Sequence, residues 1–412
     1  MPLMSEESLT AEHIPALTGS SYAARTRMSQ LSHAQSITLR MWHGSARRLQ
    51  GDAMRTKFAF LLHPRDTLRD DLRQLLHPAF GLIPDRVLQG ALQHLPLPPL
   101  ITGGIRYDDA PDQQAGWLIT VPLSASQLLR LPRAHVHGKI NQAVDRARDL
   151  GASVVGLGAL TAPATLGGQV LQERRDIGVT NGNAFTAAMT HLAVERLLPS
   201  LPAHPTIALV GATGSVGSCL THLLAARTDA ALMLIARHQG RLDALAADVS
   251  RPGLRVTTST RMDDVRAADL VVLLTSAAEA LLRDEHLRPG AIVLDDTQPR
   301  NTDASLLRTR PDVTIIDGGL VQVPGMQLRG TIGLASKVAY ACLAETMLLT
   351  LDGHEGHFSI GAPGAHKAAH MLDLAARYAH LGFHLAPFRS FGRLLPDGAL
   401  GSAPRPRLLE RA

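Results

Sequence analysis

Short apolar runs alternate with longer stretches in which hydrophobic residues recur every three or four positions. Lys57-Phe-Ala-Phe-Leu-Leu reads as a first strand, Asp66–Leu76 as a helix and Gly116-Trp-Leu-Ile-Thr-Val as another strand. The spacing then predicts an amphipathic basic helix over Gly138–Leu150, a buried strand over Ser153–Leu157 and a helix over Gly182–Leu198. Pro199–Pro205 breaks the pattern, and from Thr206 the rhythm becomes regular. Strands at 206–210, 231–236, 269–274, 291–295 and 313–316 are separated by helical patterns, the signature of a parallel sheet. Two further helical stretches, Leu334–Leu351 and Ala365–Gly382, close the regular part.

The expected fold is α/β. It has an N-terminal α/β substrate domain (54–200), a Rossmann-type NADP-binding domain (201–330) and C-terminal helices (331–384). Residues 1–53 show no periodicity and read as an extension of low order, and 385–412 as a loose tail.

The strongest local signal joins strand to helix. Thr206-Ile-Ala-Leu-Val runs into Gly211-Ala-Thr213-Gly214-Ser215-Val216-Gly217. The first glycine permits the turn, the second lets backbone N–H groups approach a pyrophosphate, and the third lets helix and strand pack closely. At the end of the next strand an NAD-selective site would carry an acid for the ribose hydroxyls; Arg237 and Arg241 stand in that region instead. Guanidinium groups suit the extra phosphate of NADP, so NADPH is the expected cofactor. Thr275 and Ser276, and Gly318 after the last strand, fall at strand ends where open α/β sheets bind ligands.

Composition narrows the picture. Of 412 residues 45% are hydrophobic and 19% charged, enough for packed cores and unlike a disordered chain. Aromatics make up 3%, too few for a base-stacking nucleic-acid surface. The net charge of +5 is carried almost wholly by Arg and favours an anionic cofactor or an acidic partner. Two cysteines exclude a disulfide framework and suit a reducing, cytoplasmic setting, and no signal-peptide core or membrane span is evident. His354, Glu355, His357, His366 and His370 are dense but lack His-Glu-x-x-His spacing, so no metal is expected.

A hydride-transfer site must polarise its carbonyl. The Tyr-x-x-x-Lys solution is closed, because Thr26, Pro111, Ala344 and Gly382 stand four positions after the tyrosines. Cys219, among small and apolar residues, reads as core. Cys342 has Glu345 at i+3 on the same helix face, and a thiolate is the soft nucleophile that a thioester carbonyl suits. Spacing alone favours reading Cys342 as a core residue of an apolar helix.

Several stretches occur in a specific order: Phe58-Ala-Phe-Leu-Leu-His63, Lys139-Ile-x-x-Ala through Leu150-Gly, Thr180-Asn-Gly182-Asn183, Gly211-Ala-Thr-Gly-Ser-Val-Gly-Ser, Leu234-Ile-Ala-Arg, and Ala341-Cys-Leu-Ala-Glu-Thr-Met-Leu-Leu. From Phe58 to His384 the chain thereby resembles the long-chain acyl-[acyl-carrier-protein] reductases of cyanobacteria. The resemblance implies NADPH-dependent reduction of a fatty acyl thioester to an aldehyde, with Cys342 accepting the acyl group. The acyl donor would be acyl carrier protein or acyl-CoA, and an aldehyde-consuming enzyme would lie downstream. Thr180, Gly182 and Asn183 then read as oxyanion donors or nicotinamide contacts, with a helix cap by Asn181 or Asn183 as the equal alternative. Lys139 reads as a ligand for the carrier's phosphopantetheine phosphate or as cover for an exposed helix face. Two other readings stay open: a dehydrogenase resembling shikimate dehydrogenase or glutamyl-tRNA reductase, and a non-catalytic binder of NADPH or acyl chains.

Overall fold

The computed structural model describes residues 56–69, 73, 78–277, 280–396 and 400. The expected extension over 1–53, the middle of the Asp66–Leu76 helix and the end of the tail lie outside the described residues. Two six-stranded sheets organise the rest. The first contains β1 (Lys57–Leu62), β2 (Leu100–Tyr107), β3 (Gly116–Thr120), β4 (Ala152–Leu157) and β5 (Gly178–Thr180). The second contains β6 (Thr206–Val210), β7 (Ala231–Ile235), β8 (Val256–Ser259), β9 (Leu270–Leu273), β10 (Ile292–Asp295) and β11 (Thr314–Asp317). The short strands β12 (Leu320–Gln322), β13 (Met326–Arg329), β14 (Val338–Tyr340) and β15 (His384–Leu385) follow.

The second sheet is wholly parallel in the order β11-β10-β9-β6-β7-β8. That is the doubly wound dinucleotide-binding order, with its switch point between β6 and β9. Its central strands β6 and β9 are buried apolar runs, because both faces are covered, whereas the edge strand β8 is polar and partly exposed. Ile207 and Leu209 face one core and Ala208 and Val210 the other.

The first sheet is mixed, in the order β13-β2-β3-β1-β4-β5. Alternation again divides it: Phe58, Phe60 and Val154 enter one core, while Ala59, Leu61 and Val155 enter the opposite one. The helices α1 (Arg133–Asp149), α2 (Asn183–Leu197), α3 (Ser215–Arg227), α4 (Ala341–Leu351) and α5 (Ala365–Arg377) pack around these sheets. Helix α1 covers the Ala59 face, and α2, α4 and α5 cover the Phe58 face.

The structure departs from the sequence expectations in three places. Residues 334–340 are not helical: Lys337 has φ +61°, and Val338–Tyr340 pairs as β14 with β12. Met326–Arg329, expected in the nucleotide unit, pairs antiparallel with β2 in the first sheet. Residues 385–395, expected as loose tail, are docked. Leu385 pairs with Val321, Phe388 is buried, and the N–H groups of Phe391 and Gly392 donate to Asp317 at 2.9 and 2.7 Å.

Candidate active site

The shortened start of α4 decides the chemistry. Tyr340 leaves β14 and Ala341 begins the helix, its N–H capped by the Gly319 carbonyl at 2.8 Å. Cys342 is therefore the second residue of an apolar helix, not a mid-helix position, and is half-buried. The unpaired N–H groups of a first turn favour negative charge. Burial nonetheless pushes the Cys342 thiol up to about 12; the N–H groups of Leu343 and Cys342 pull it down, and the charges of Glu345 and Asp296 push it up. Burial thus favours the protonated thiol, and attack on a carbonyl then calls for a proton acceptor.

The Thr180–Asn183 segment presses directly on this cysteine. Gly182 has φ +74°, and a Cβ built on it would stand 2.2 Å from Cys342 Cβ and 2.4 Å from its Cα. Only glycine allows that approach. Glu345 fixes the segment from below: Thr180 Oγ1 donates to Oε1, and the Phe185 N–H donates to Oε2 at 2.7 Å. Its carboxyl is fully buried, and burial raises it above the usual carboxylate range against those hydrogen bonds. Both oxygens are thus committed to holding β5 and the first turn of α2 beside the nucleophile.

Asn183 connects the nucleophile to the glycine loop. Its Nδ2 donates to Ser215 Oγ at 2.8 Å, and Ser215 Oγ donates to the Gly361 carbonyl at 2.6 Å. Its backbone N–H donates to Asn181 Oδ1 at 3.0 Å, while the N-cap position itself is taken by Gly182 and not by either asparagine.

Gly211 has φ +93°, and a Cβ there would meet the Leu274 carbonyl at 2.8 Å, so the β6 and β9 loops face each other across the switch point. Gly214 is exposed at the N-cap of α3, with Thr213, Ser215 and Val216 partly exposed around it and Gly217 packed on Ala212. A pyrophosphate fits this cradle of free helix-start N–H groups. Thr275 Oγ1 donates to Asn301 Oδ1, Ser276 is exposed beside it, and Gly318 lies at the end of β11. Arg237 and Arg241 are exposed after β7, and among the described residues neither has an ion-pair partner. All these positions therefore share the C-terminal edge of one sheet.

Lys139 does not join them. It lies on α1, across the first sheet from α4, is 8% exposed and donates from Nζ to the Leu97 carbonyl at 2.9 Å. Neither sequence reading of it fits: it is not on an exposed face, and its ammonium is turned to a carbonyl away from the cysteine. Cys219 is core, with burial pushing its thiol up to about 11. His357 is structural too, accepting from the Val179 N–H at 3.0 Å and donating to the Gln172 carbonyl at 3.1 Å. Residue-by-residue reading missed Asp296, which follows β10. Its Oδ2 accepts from Thr190 Oγ1 of α2, and it acts electrostatically on Cys342. Paired acids at a C-terminal strand end were the available signal. An open depression of about 540 Å³ is lined by Met233, Ser259, Arg261 and Arg266 at the β8 side and holds none of these residues.

No protein-family model matches the chain. Among curated proteins it is 27% identical to the aminotransferase PigE of a Serratia strain over 285 residues, covering 66% of this chain and 32% of that protein. It is 29% identical to the long-chain acyl-[acyl-carrier-protein] reductase of Synechococcus elongatus over 193 residues, 44% of this chain and 54% of that one. The chain thus spans about a third and about half of the length of these relatives. Among solved structures it is similar to a glutamyl-tRNA reductase from Methanopyrus kandleri (24% identity, 47% of this chain and 51% of that chain, TM-score 0.25). It is also similar to a dipicolinate synthase component from Bacillus halodurans (15%, 45% and 61%, TM-score 0.28). The fold class rests on the strand order above rather than on these partial overlaps. Among the described residues no helix is long and apolar enough to cross a membrane.

Proposed function

We propose that the protein is an NADPH-dependent reductase that converts a long-chain fatty acyl thioester to the aldehyde through an acyl group held on Cys342. The observation that carries this reading is the Cys342–Gly182 contact, because it sets an addressable thiol one residue from Asn183, and Asn183 is bonded to the dinucleotide loop through Ser215. The ordered match to a carrier-protein acyl reductase agrees with it. A bound reduced dinucleotide would supply hydride to the acyl carbon, held by the Gly211–Gly217 loop with Arg237 and Arg241 at its 2′-phosphate.

The remaining roles belong to the chain. Cys342 sulfur attacks the donor thioester and later departs from the reduced carbon. The first-turn N–H groups of α4 stabilise negative charge close to the sulfur. Glu345 and Gly182 hold the nucleophile in register. The donor is acyl carrier protein or acyl-CoA, and the aldehyde passes to an enzyme that consumes it.

The test is incubation of purified protein with a long-chain acyl donor and NADPH. Aldehyde forms with the wild type and is lost in Cys342→Ala. Donor without dinucleotide adds the mass of one acyl group to Cys342. A wild type that gives neither aldehyde nor acyl adduct refutes the reading. Replacing Arg237 and Arg241 together by Ala weakens NADPH binding and leaves NADH binding unchanged.

A further inference from the structure

Two carboxylates act electrostatically on the nucleophile, and they are built differently. Glu345 has both oxygens occupied by Thr180 and the Phe185 N–H. Asp296 has one oxygen fixed, Oδ2, by the Thr190 hydroxyl. Its Oδ1 lies against the Gly319 backbone: a Cβ on Gly319 would fall 2.1 Å from it, and the Gly319 carbonyl caps Ala341, the residue before Cys342, at 2.8 Å. Among the described residues Oδ1 takes no hydrogen bond, and the residue is half-buried. An oriented carboxyl with one free oxygen, one residue contact removed from the start of the cysteine's helix, is suited to act as a proton acceptor.

We propose that Asp296 is the acid–base group of acyl transfer to Cys342. This deepens the thioester reading of the same site and rests on it. The carboxylate takes the proton of the Cys342 thiol as the sulfur–carbon bond forms at the donor carbonyl. The bond from that carbon to the donor sulfur breaks, and the departing thiolate takes the proton from Asp296. The products are the acylated cysteine, a free donor thiol and Asp296 again ionised, with no redox change.

The surrounding groups leave this role to Asp296. Asp295 is saturated by the N–H and hydroxyl groups of Thr297 and Thr302, at 2.5 to 3.1 Å. Burial pushes the Tyr340 phenol up to about 12, so it holds its proton; the charges of Arg300, Arg65, Asp317 and Cys342 also reach it. Arg300 is paired with Asp317. Burial likewise pushes Asp296 up to about 7, aided by the charge of Asp295 and opposed by the Thr190 hydrogen bond. That places its titration where a general base is most effective at neutral pH.

The experiment follows Cys342 without dinucleotide. Acylation by a long-chain acyl-CoA is timed by mass spectrometry from pH 5 to 9, beside alkylation by iodoacetamide. The wild type shows an inflection near pH 7 in both. Asp296→Asn slows acylation about 100-fold or more and abolishes the inflection. Thr190→Val, which keeps the carboxylate but removes its donor, moves the inflection to higher pH. Unfolding midpoints of both variants show that each is folded. An Asp296→Asn protein that acylates at the wild-type rate with the same inflection overturns the assignment. A wild type that is never acylated overturns the thioester reading instead.

Discussion

Replacing Gly182 by Ala should both destabilise the protein and disable its cysteine. The new methyl carbon would stand 2.2 Å from Cys342 Cβ, 2.4 Å from its Cα and 3.0 Å from its carbonyl oxygen. Carbon atoms in contact sit at about 3.5–4.0 Å, so one of the two segments must retreat by more than about 1 Å. An L-residue in the left-handed region costs about 1–2 kcal/mol, and overpacking a core contact about 1–3 kcal/mol. The expected loss is therefore about 2–5 kcal/mol, read as a lower urea midpoint by circular dichroism. A displacement of about 1 Å at a reacting atom costs on the order of 100-fold in rate. Iodoacetamide labelling of Cys342 and its acylation should reveal that loss separately, since Cys219 is 1% exposed and does not compete. A Gly182→Ala protein within about 0.5 kcal/mol of wild type and labelled at an unchanged rate would show that the two segments do not depend on this contact.

Three further outcomes are expected. Glu345→Ala strands the Phe185 N–H and the Thr180 hydroxyl in the core, costing about 2–4 kcal/mol, whereas Glu345→Gln keeps one acceptor and loses less; urea unfolding of the pair measures the difference. Burial pushes Asp66 up, but hydrogen bonds from Ser124 Oγ (2.6 Å) and Ser126 Oγ and N–H (2.7 and 3.1 Å) outweigh it and hold the carboxyl below its ordinary value. Its stabilising contribution is therefore present above a pH of about 4 and lost as pH falls through the depressed value, so Asp66→Asn should flatten the acid limb of a stability–pH curve. Lys139→Met should lower stability by about 1–2 kcal/mol through the lost bond to the Leu97 carbonyl, with Cys342 acylation unchanged; a slowed acylation would contradict its placement across the sheet.

The nucleotide half was legible because its signals are local. Fully buried parallel strands read as unbroken apolar runs, and Gly211 declares a turn that no side chain tolerates. The region around Cys342 was harder to read, because its structure is set by distant partners. Val338–Tyr340 has helix-compatible neighbours, yet β12 draws it into a strand, and this moves the cysteine from mid-helix to the first turn. Lys139 sits in a helix whose polar face suggested solvent, but the chain at Leu97 folds over it. Glu345 was found by spacing as a partner of the nucleophile; its two hydrogen bonds to Thr180 and Phe185, residues 165 and 160 positions away, give it a holding role instead. The acid pair Asp295-Asp296 was there to be read, but which of the two is held by α2 is apparent only once β10 and α2 are seen to converge.

The antiparallel pairing of Met326–Arg329 with β2 has a consequence for biosynthesis. The outer strand of the first sheet leaves the ribosome only after the entire dinucleotide unit, so the earlier layer waits with an open flank. A fragment ending near residue 200 would keep that flank bare and invite intermolecular strand addition. The two halves are therefore sewn together by the order of translation, and a gene rearrangement that moved one without the other would yield an aggregating product instead of a portable module.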